Sequence, residues 1–502
     1  MPPSADALEA TPASHGDRSF FGHPRGLSTL FFTEMWERFS YYGMRALLIL
    51  FMTAAPASGG LGFDTGTAGA VYGLYTSAVY LTALPGGWIA DRLIGQRSAV
   101  LYGGILISTG HFSMAFPSMT TFYLGLLLIV VGTGLLKGNI SVLVGQLYAP
   151  GDSRRDAGFS IYYMGINLGA FIAPLVCGFL GQRVNWHLGF AAAGVGMVFG
   201  IVQYTYGGRH LGTAGLHPVP AESLEEAHDL KRHALKWAGA ILGSSLVLGV
   251  LLWAGLLPIT PAQVADAAGV FLVLTTVALF GWVFFGGDWT PNERRRLYLI
   301  GVLFLAASIF WSEFEQAGTT LNLFADRNTQ NTMMGWNFPS SWYQSANALF
   351  IIVFAPLFAM LWLRLGSREP ASPVKFAFGL IGVGVGFAIL IPAARTAETG
   401  VLVSPLWLIA LYLIHTWAEL CLSPVGLSSM TRLAPARVAG LMMGVWFLAV
   451  SVGNFIGGRL STLYEAWRLP NLFGVVGAFG IVCGVLLLVL SPPMKGWMGE
   501  VR

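Results

Sequence analysis

The stretch that decides the fold of this chain is Glu34-Met35-Trp36-Glu37-Arg38-Phe39-Ser40-Tyr41-Tyr42-Gly43-Met44-Arg45. It lies in a mostly apolar run over 27–52, which is long enough for a helix that crosses a bilayer. Steps of three or four residues connect its acids, bases and tyrosines, so a helix places these side chains on one face. Each charge at the bilayer centre costs roughly 2.5–3.5 kcal/mol on insertion scales. The pattern therefore predicts a helix whose polar stripe faces a hydrated interior. Structural ion pairs between neighbouring helices are the alternative, and one pair can serve both roles.

Composition places the chain among polytopic membrane proteins. The apolar share is 55% and the charged share is 10%, against about 45–50% and about 25% in soluble proteins. The net charge of +4 says little about nucleic acid, because the location of the charges matters more than their sum. We expect no nucleic-acid partner. The three cysteines lie in separate apolar runs, which indicates neither a disulfide framework nor a thiolate metal site. We expect no cofactor and no metal ion.

Fourteen apolar segments have the length of one membrane crossing each, about 20 residues. They lie near 28–53, 67–90, 98–116, 121–147, 158–180, 187–206, 234–256, 263–286, 297–323, 341–364, 373–393, 401–424, 437–459 and 469–491. An even number of crossings places both termini on one side. Most basic residues outside the spans fall on that side, and the exceptions are Arg183, Arg327, Arg395, Arg459 and Arg468. This asymmetry predicts that both termini are cytoplasmic.

The polar stretches between the spans set the predicted domain boundaries. The residues before the first span are rich in Ala, Ser, Pro and charge, and they read as a disordered tail rather than a signal peptide. The prediction is a cytoplasmic tail over 1–26, a six-helix bundle over 27–206, a cytoplasmic loop over 207–233, an extra helix pair over 234–290, a second six-helix bundle over 291–492 and a cytoplasmic tail over 493–502.

Several motifs resemble one family. The pattern Glu34-x-x-Glu37-Arg38-Phe39-x-Tyr41-Tyr42-Gly43 resembles the first-helix signature of the proton-coupled oligopeptide transporter (POT) family of the major facilitator superfamily. The stretch over 86–97 is similar to a loop signature shared across that superfamily, and 161–170 resembles a second POT signature. Trp311, Glu315 and Gln316 match a further family stretch.

The resemblance implies an all-α major facilitator fold of two six-helix bundles, with the extra helix pair of bacterial members. It also implies proton-coupled symport of dipeptides and tripeptides across the bacterial inner membrane by alternating access, by a functional monomer. A proton-coupled transporter of another small solute, such as nitrate, is the alternative. We expect no enzymatic activity, because no motif in the spans resembles a metalloprotease, a paired-aspartate site or a nucleophilic dyad.

Carried over residue by residue, the resemblance assigns two sets of site residues. The proton-coupling set is Glu34, Glu37, Arg38, Lys137 and Glu315. The substrate-binding set is Arg45, Tyr41, Tyr42, Tyr80, Lys137, Asn167, Asn347, Glu419 and Trp446. Arg45 and Lys137 of this set, together with Arg38 of the coupling set, are expected to meet the peptide carboxylate, while Glu419 and the two asparagines meet the amino group. For Trp446, core packing is equally compatible with the sequence.

Lys137 is a lone ammonium within a span, so it needs a carboxylate. We expect it to pair with Glu315 across the cavity, and the pair to be released when Glu315 or the Glu34/Glu37 cluster is protonated. Glu313 is roughly 200° away from Glu315 around a helix, so the two are not expected to share a pocket.

Two further positions bear on the coupling. Gly73 stands where animal members of the family carry a histidine, so the coupling falls on carboxylates. His415 precedes Glu419 by four residues, which is compatible with pairing, but the sequence favours a packing role.

Overall fold

The computed structural model describes residues 17–149, 151–220, 223–253, 256, 259–333 and 335–498. Its helices are α1 (Arg25–Thr53), α2 (Thr65–Leu81), α3 (Ala83–Ile89), α4 (Gln96–Met114), α5 (Met119–Gln146), α6 (Arg155–Phe179), α7 (Trp186–Gly207), α8 (Leu224–Trp253), α9 (Pro261–Phe285), α10 (Pro291–Phe314), α11 (Thr320–Arg327), α12 (Gln344–Leu365), α13 (Ser372–Ala397), α14 (Leu406–Leu433), α15 (Met442–Leu460), α16 (Leu463–Ala466) and α17 (Leu469–Trp497). Two short strands, β1 (Thr332–Met333) and β2 (Trp336–Asn337), form an antiparallel hairpin.

These helices reproduce the predicted membrane segments. Helices α2 and α3, α10 and α11, and α15 and α16 follow one another closely, so the helices of the described residues group into fourteen segments. Ten of these are long and apolar enough on length and composition alone to cross a membrane. Helix α1 is not among the ten, because four charged residues interrupt its apolar run. The all-α membrane fold predicted from the sequence is confirmed.

The segments pack as two bundles. In the first, α1 packs on α6 and α7, and α4 packs on α5 and α7. In the second, α13 packs on α14 and α17, and α10 packs on α13 and α15. We call the end where α1 begins the N-terminal face and the opposite end the distal face.

The bundles touch along two pairs of helices, α2 with α15 and α6 with α12. Glycine makes the first of these approaches possible. A Cβ atom built on Gly73 would lie 3.0 Å from the Cα atom of Gly458, and one on Gly69 would lie 2.7 Å from the backbone oxygen of Gly458. Near the distal end of α6, the side chain of Gln182 donates a 2.8 Å hydrogen bond to Ser340 of the second bundle.

Helices α8 and α9 correspond to the predicted extra pair, with one boundary corrected. Helix α8 begins at Leu224, whereas the sequence placed the soluble loop up to residue 233. Glu225 and Glu226 lie in its first turn, where acidic side chains are stabilised by the helix dipole. Residues 221, 222, 254, 255, 257 and 258 lie outside the described residues.

The predicted tails need a second correction, since their described parts are folded. Phe20 packs on the ring of Phe31 in α1, and the Nδ1 atom of His23 is 2.9 Å from the hydroxyl of Tyr148. These contacts hold 17–24 against the first bundle. At the other end α17 continues to Trp497. Residues 1–16 and 499–502 of the predicted tails lie outside the described residues.

Candidate functional site

The charged stripe of α1 lies inside the protein, as the sequence predicts. Glu34, Glu37, Arg38 and Arg45 are all at most 5% exposed. The Nε atom of Arg38 lies 3.2 Å from a carboxylate oxygen of Glu34, and it also contacts the carboxylate of Glu37. One guanidinium therefore holds two acids within its own helix, so these pairs are not the ion pairs between neighbouring helices that the alternative predicts.

Arg45 makes the ion pair that joins the two bundles. Its Nη2 atom lies 2.8 Å from the Oε2 atom of Glu315, and its Nε atom donates a 2.9 Å hydrogen bond to the hydroxyl of Tyr72. The three residues come from the first, seventh and second spans of the twelve-helix core. Gly318 is required beside them, because a Cβ atom there would lie 1.7 Å from the Tyr72 hydroxyl.

An interruption of the α-helix places the side chain of Glu315 beside Arg45. Helix α10 ends at Phe314, a short 3-10 segment covers Glu315–Gly318, and α11 starts at Thr320. Glu313 points elsewhere: a Cβ atom on Gly480 of α17 would lie 2.4 Å from its Oε2 atom. The prediction that these two acids do not share a pocket is confirmed.

Lys137 does not pair with Glu315, so that prediction is wrong for this structure. Its Nζ atom lies 3.4 Å from the ring centroid of Tyr80, in a cation–π contact. The carboxylate of Glu315 is already engaged by Arg45, whose planar guanidinium can bind an acid and a hydroxyl together. Within the described part of the chain, Lys137 forms no ion pair. Its ammonium interacts electrostatically with Arg38 and Glu37 as well as more weakly with Glu315, which places it on the interior side of α5.

The second bundle contributes a buried acid, Glu419, which accepts a hydrogen bond from one amide. The Nδ2 atom of Asn347 lies 3.1 Å from the Oε2 atom of Glu419 and 3.1 Å from the hydroxyl of Thr416. Glu419 is 8% exposed and interacts electrostatically with Glu315 and Arg45. It therefore faces the same interior as the bases of the first bundle.

Tyrosines surround these charges. The guanidinium of Arg45 lies 5.6 Å from the ring centroid of Tyr42, and that of Arg38 lies 5.2 Å from the ring of Tyr41. Tyr163 interacts with Glu419 and Tyr42, and yet it keeps accessible surface. Tyr163 therefore lies on the side of α6 that faces the second bundle, in the region between the two bundles.

The arrangement separates charge across this space. The first bundle supplies three bases, Arg38, Arg45 and Lys137, and the second supplies two acids, Glu315 and Glu419. The two acids of the first bundle, Glu34 and Glu37, are both in contact with Arg38. A small solute that carries one positive and one negative group finds a counter-charge at each end, together with hydroxyl and aromatic groups between them. The only ion pair that crosses the gap within this set is the one between Arg45 and Glu315.

Comparison with known proteins decides the family. A model described as the POT family matches residues 97–223 and 286–476. The peptide transporter YePEPT of Yersinia enterocolitica is 41% identical over 99% of this chain and 99% of its own.

The chain belongs to the POT family.

Other relatives agree with this assignment. The uncharacterized transporter YclF of Bacillus subtilis is 44% identical over 95% of this chain and 96% of its own length. A crystal structure of a peptide transporter POT in complex with sulfate shares 42% identity and a TM-score of 0.89, covering 96% of this chain and 97% of that one. A POT family transporter in complex with 5-aminolevulinic acid shares 36% identity with a TM-score of 0.88, covering 95% of this chain and 98% of that one. The predicted major facilitator architecture is confirmed by these structures.

Two predicted binding residues of this POT family member are occupied by local contacts. Asn167 is buried and donates a 3.0 Å hydrogen bond to the backbone oxygen of Tyr163 in its own helix. Trp446 is buried against α14, where a Cβ atom on Gly426 would lie 2.1 Å from its ring. The packing alternative for Trp446 describes this structure, and the binding roles of both residues stay predictions.

Two of the described histidines, His415 and His111, form no hydrogen bond or ion pair with the charged side chains of the site. The Nε2 atom of His415 lies 3.1 Å from the backbone oxygen of Val383, so the packing interpretation is confirmed. His111 is fully buried in α4, with no hydrogen-bond partner for either ring nitrogen among the described residues. Gly73, which replaces the animal histidine, lies at the tight crossing of α2 and α15, where a larger residue has no room.

Sequence reasoning missed Tyr72 and Tyr163 as site residues in this transporter. Tyr72 and Tyr80 are eight residues apart, which places them on similar faces of one helix. Because Tyr80 is a predicted substrate-binding residue, its spacing from Tyr72 indicates that Tyr72 faces the same site. Tyr163 gave no comparable signal, because only the tertiary contact with Glu419 distinguishes it from a lipid-facing tyrosine.

Proposed function

We propose that this chain carries dipeptides and tripeptides across the bacterial plasma membrane, coupled to protons moving in the same direction. The names of its relatives support the substrate class, and the site supports it independently. The observation that carries the proposal is the separation of charge between Arg45 and Lys137 on one side and Glu419 on the other. A peptide zwitterion carries one charge at each end of its backbone, so its binding site needs a positive group at one end and a negative group at the other.

The substrate is held at its two ends. The peptide carboxylate binds Arg45 and Lys137, with Arg38 behind them. The peptide ammonium binds the carboxylate of Glu419, which the Asn347 amide already orients. Asn167 adds a hydrogen-bonding group at this end. The tyrosines between the two ends, Tyr41, Tyr42 and Tyr80, offer ring faces that tolerate many side chains, and Trp446 borders a side-chain pocket.

The proton acts on the pair between Arg45 and Glu315. While Glu315 is ionised it occupies the guanidinium that the peptide carboxylate needs. Protonating Glu315 removes its charge, frees Arg45 for the substrate and removes the ion pair that ties the bundles together. Proton and peptide therefore load together, which is the requirement of symport.

The cluster of Glu34, Glu37 and Arg38 is a second place for a proton. Arg38 balances only one of the two acids in net charge, so the cluster carries one excess negative charge when both are ionised. Lys137 lies within electrostatic range of all three residues. A proton on either acid therefore changes how strongly Lys137 is held, and with it the charge offered to the substrate.

The remaining features of the proposal concern the cell. Both termini are cytoplasmic, as the distribution of Lys and Arg favours, and the membrane is the bacterial inner membrane. One chain contains all the groups used above, so the functional unit is a monomer.

A second candidate is another small solute. A related structure contains 5-aminolevulinic acid, which carries an ammonium and a carboxylate. The two ends of the site in this chain can accommodate the same two groups. Nitrate carries no cation, so it gives Glu419 no role.

Proteoliposomes under an inward proton gradient test the proposal. Labelled dialanine should accumulate, and unlabelled di- and tripeptides should compete while nitrate does not. Failure of dialanine to accumulate, or equal competition by nitrate, would contradict the peptide assignment.

A further inference from the structure

Helix α9 of the extra pair packs on both bundles. It lies against α2, which forms the distal part of the second span, and against α10 and α15 of the second bundle. Its buried residues Ala265, Gly269 and Leu272 follow helical spacing on one side. A helix that packed only on the second bundle would have no contact with α2.

The contacts with α15 lie near the distal face. The carboxylate of Asp266 forms an ion pair with the guanidinium of Arg459. Three residues further on, Gly269 faces the ring of Phe455 so closely that a Cβ atom would lie 2.5 Å from Cζ. This crossing of α9 and α15 therefore requires a glycine.

The other half of α9 is fixed to α10 by aromatic rings. The ring centroids of Phe280 and Phe304 are 4.8 Å apart, and those of Phe284 and Tyr298 are 5.4 Å apart. Edge-to-face pairs of this kind stabilise packing beyond the area they bury. Helix α9 therefore has side-chain contacts with the second bundle near both of its ends, while its most extensive helix–helix contact is with α2 of the first bundle.

The seam that α9 covers is closed in this structure. The hydroxyls of Ser77 in α2 and Ser451 in α15 are 2.7 Å apart, and the amide of Asn454 donates to the backbone oxygen of Thr76. Transport by alternating access requires this seam to open towards the distal face. Opening moves α2 away from α15, and because α9 packs on both helices, it must give up its contacts with one of them.

We propose that α9 is a positioning element of the distal gate, in which Asp266 and Gly269 seat the helix so that it holds α2 against α15. The extra pair thereby favours the state in which the distal face is closed. This inference rests on the proposed transport cycle but not on the identity of the solute.

Distances between spin labels on the distal face measure the effect. Labels at Ala57→Cys in the first bundle and Thr399→Cys in the second occupy exposed positions of distal loops. The native cysteines are replaced by alanine, and the full chain is studied in lipid nanodiscs without substrate. Pulsed electron–electron double resonance measures the distance between the labels, and the distance distribution gives the ratio of distal-open to distal-closed molecules.

The decisive variant is Gly269→Leu, which cannot fit against Phe455. We expect it to raise the distal-open to distal-closed ratio by at least about fivefold, the lower end of what overpacking costs. Gly269→Leu combined with Phe455→Ala restores space and should restore the wild-type ratio. Gly281→Leu is the matched control on the same helix, because no atom lies within 4 Å of a Cβ there. An unchanged ratio in Gly269→Leu, or an equal shift in Gly281→Leu, would overturn the proposal.

A milder change covers the case in which Gly269→Leu does not fold. Asp266→Asn removes the ion pair with Arg459, which is partly exposed and therefore worth little. We expect a shift of about twofold in the same direction, and an unchanged ratio would overturn the proposal. The role of α9 and the peptide assignment fail separately: the first fails on these distances, the second on dialanine uptake by the wild-type protein.

Discussion

Arg45 and Glu315 connect the two bundles through an ion pair of 2.8 Å between Nη2 and Oε2. Both side chains are 6% exposed, so water screens the pair little. Removing one charge from a buried pair leaves the other uncompensated, at a cost of about 3–5 kcal/mol. A peptide carboxylate that replaces Glu315 on Arg45 avoids this cost. The pair therefore links the charge of one acid both to substrate binding and to the contact between the bundles.

The hydroxyl of Tyr72 is expected to orient Arg45 for the substrate. Tyr72→Phe removes the 2.9 Å hydrogen bond to Nε and should raise KM for dialanine roughly three- to tenfold, as loss of one net hydrogen bond of about 0.5–1.5 kcal/mol implies. Tyr75→Phe is the control, because the Tyr75 hydroxyl is buried with no partner in the described part of the chain. Equal effects of the two variants on KM would remove Tyr72 from the site.

Glu419 is expected to recognise the peptide ammonium. Glu419→Gln keeps the shape of the side chain but loses its charge, so dipeptide affinity should fall at least about tenfold, the value of a charge-assisted hydrogen bond. The affinity for analogues in which hydrogen replaces the amino group should fall much less in the same variant. Competition binding measures both, and equal losses for the two ligand classes would place the ammonium elsewhere.

The sequence predicted the spans and the buried polar stripe of α1, because charges at membrane depth are too costly to occur without a role. It did not predict which acid meets which base. Lys137 and Arg45 are both mid-membrane cations, and only the break after Phe314, which presents Glu315 to Arg45, decides between them. Composition also suggested disorder before α1, but His23 contacts Tyr148, which is 125 residues away in sequence, and Phe20 packs on Phe31.

Gly73 is expected to matter for packing rather than for proton transfer. Gly73→Ala places a Cβ atom 3.0 Å from the Cα atom of Gly458, where backbone on both sides leaves no room to adjust. We expect a loss of about 1–3 kcal/mol of stability from overpacking, seen as a lower unfolding temperature in detergent. Gly87→Ala is the control, since no atom lies within 4 Å of a Cβ at that position. If Gly73→Ala is as stable as wild type, α2 and α15 are farther apart at Gly73 and Gly458 than in this structure.

The docking of the segment before α1 is expected to depend on pH. Burial, and next the charge of Arg154, lower the pKa of His23 below its ordinary value of 6.5, while Asp152 acts in the opposite direction. The unfolded chain therefore binds a proton more readily than the folded one. The contribution to stability is intact above about pH 6.5 and declines as the pH falls towards the folded pKa.

The variant His23→Gln removes this dependence. The difference in unfolding temperature between wild type and His23→Gln should shrink on going from pH 7.5 to pH 5. A difference that stays constant or grows over this range would show that His23 is not buried in its neutral form.

Gradient-driven uptake by Glu315→Gln tests the central claim most directly. Glutamine cannot ionise, so it should leave Arg45 free for the substrate but abolish accumulation of labelled dialanine under an inward proton gradient. Exchange of dialanine across the membrane without a gradient should persist. Glu313→Gln, two residues away and facing α17, is the matched control and should accumulate dialanine like wild type. Undiminished accumulation by Glu315→Gln would show that this acid does not couple the proton to the peptide.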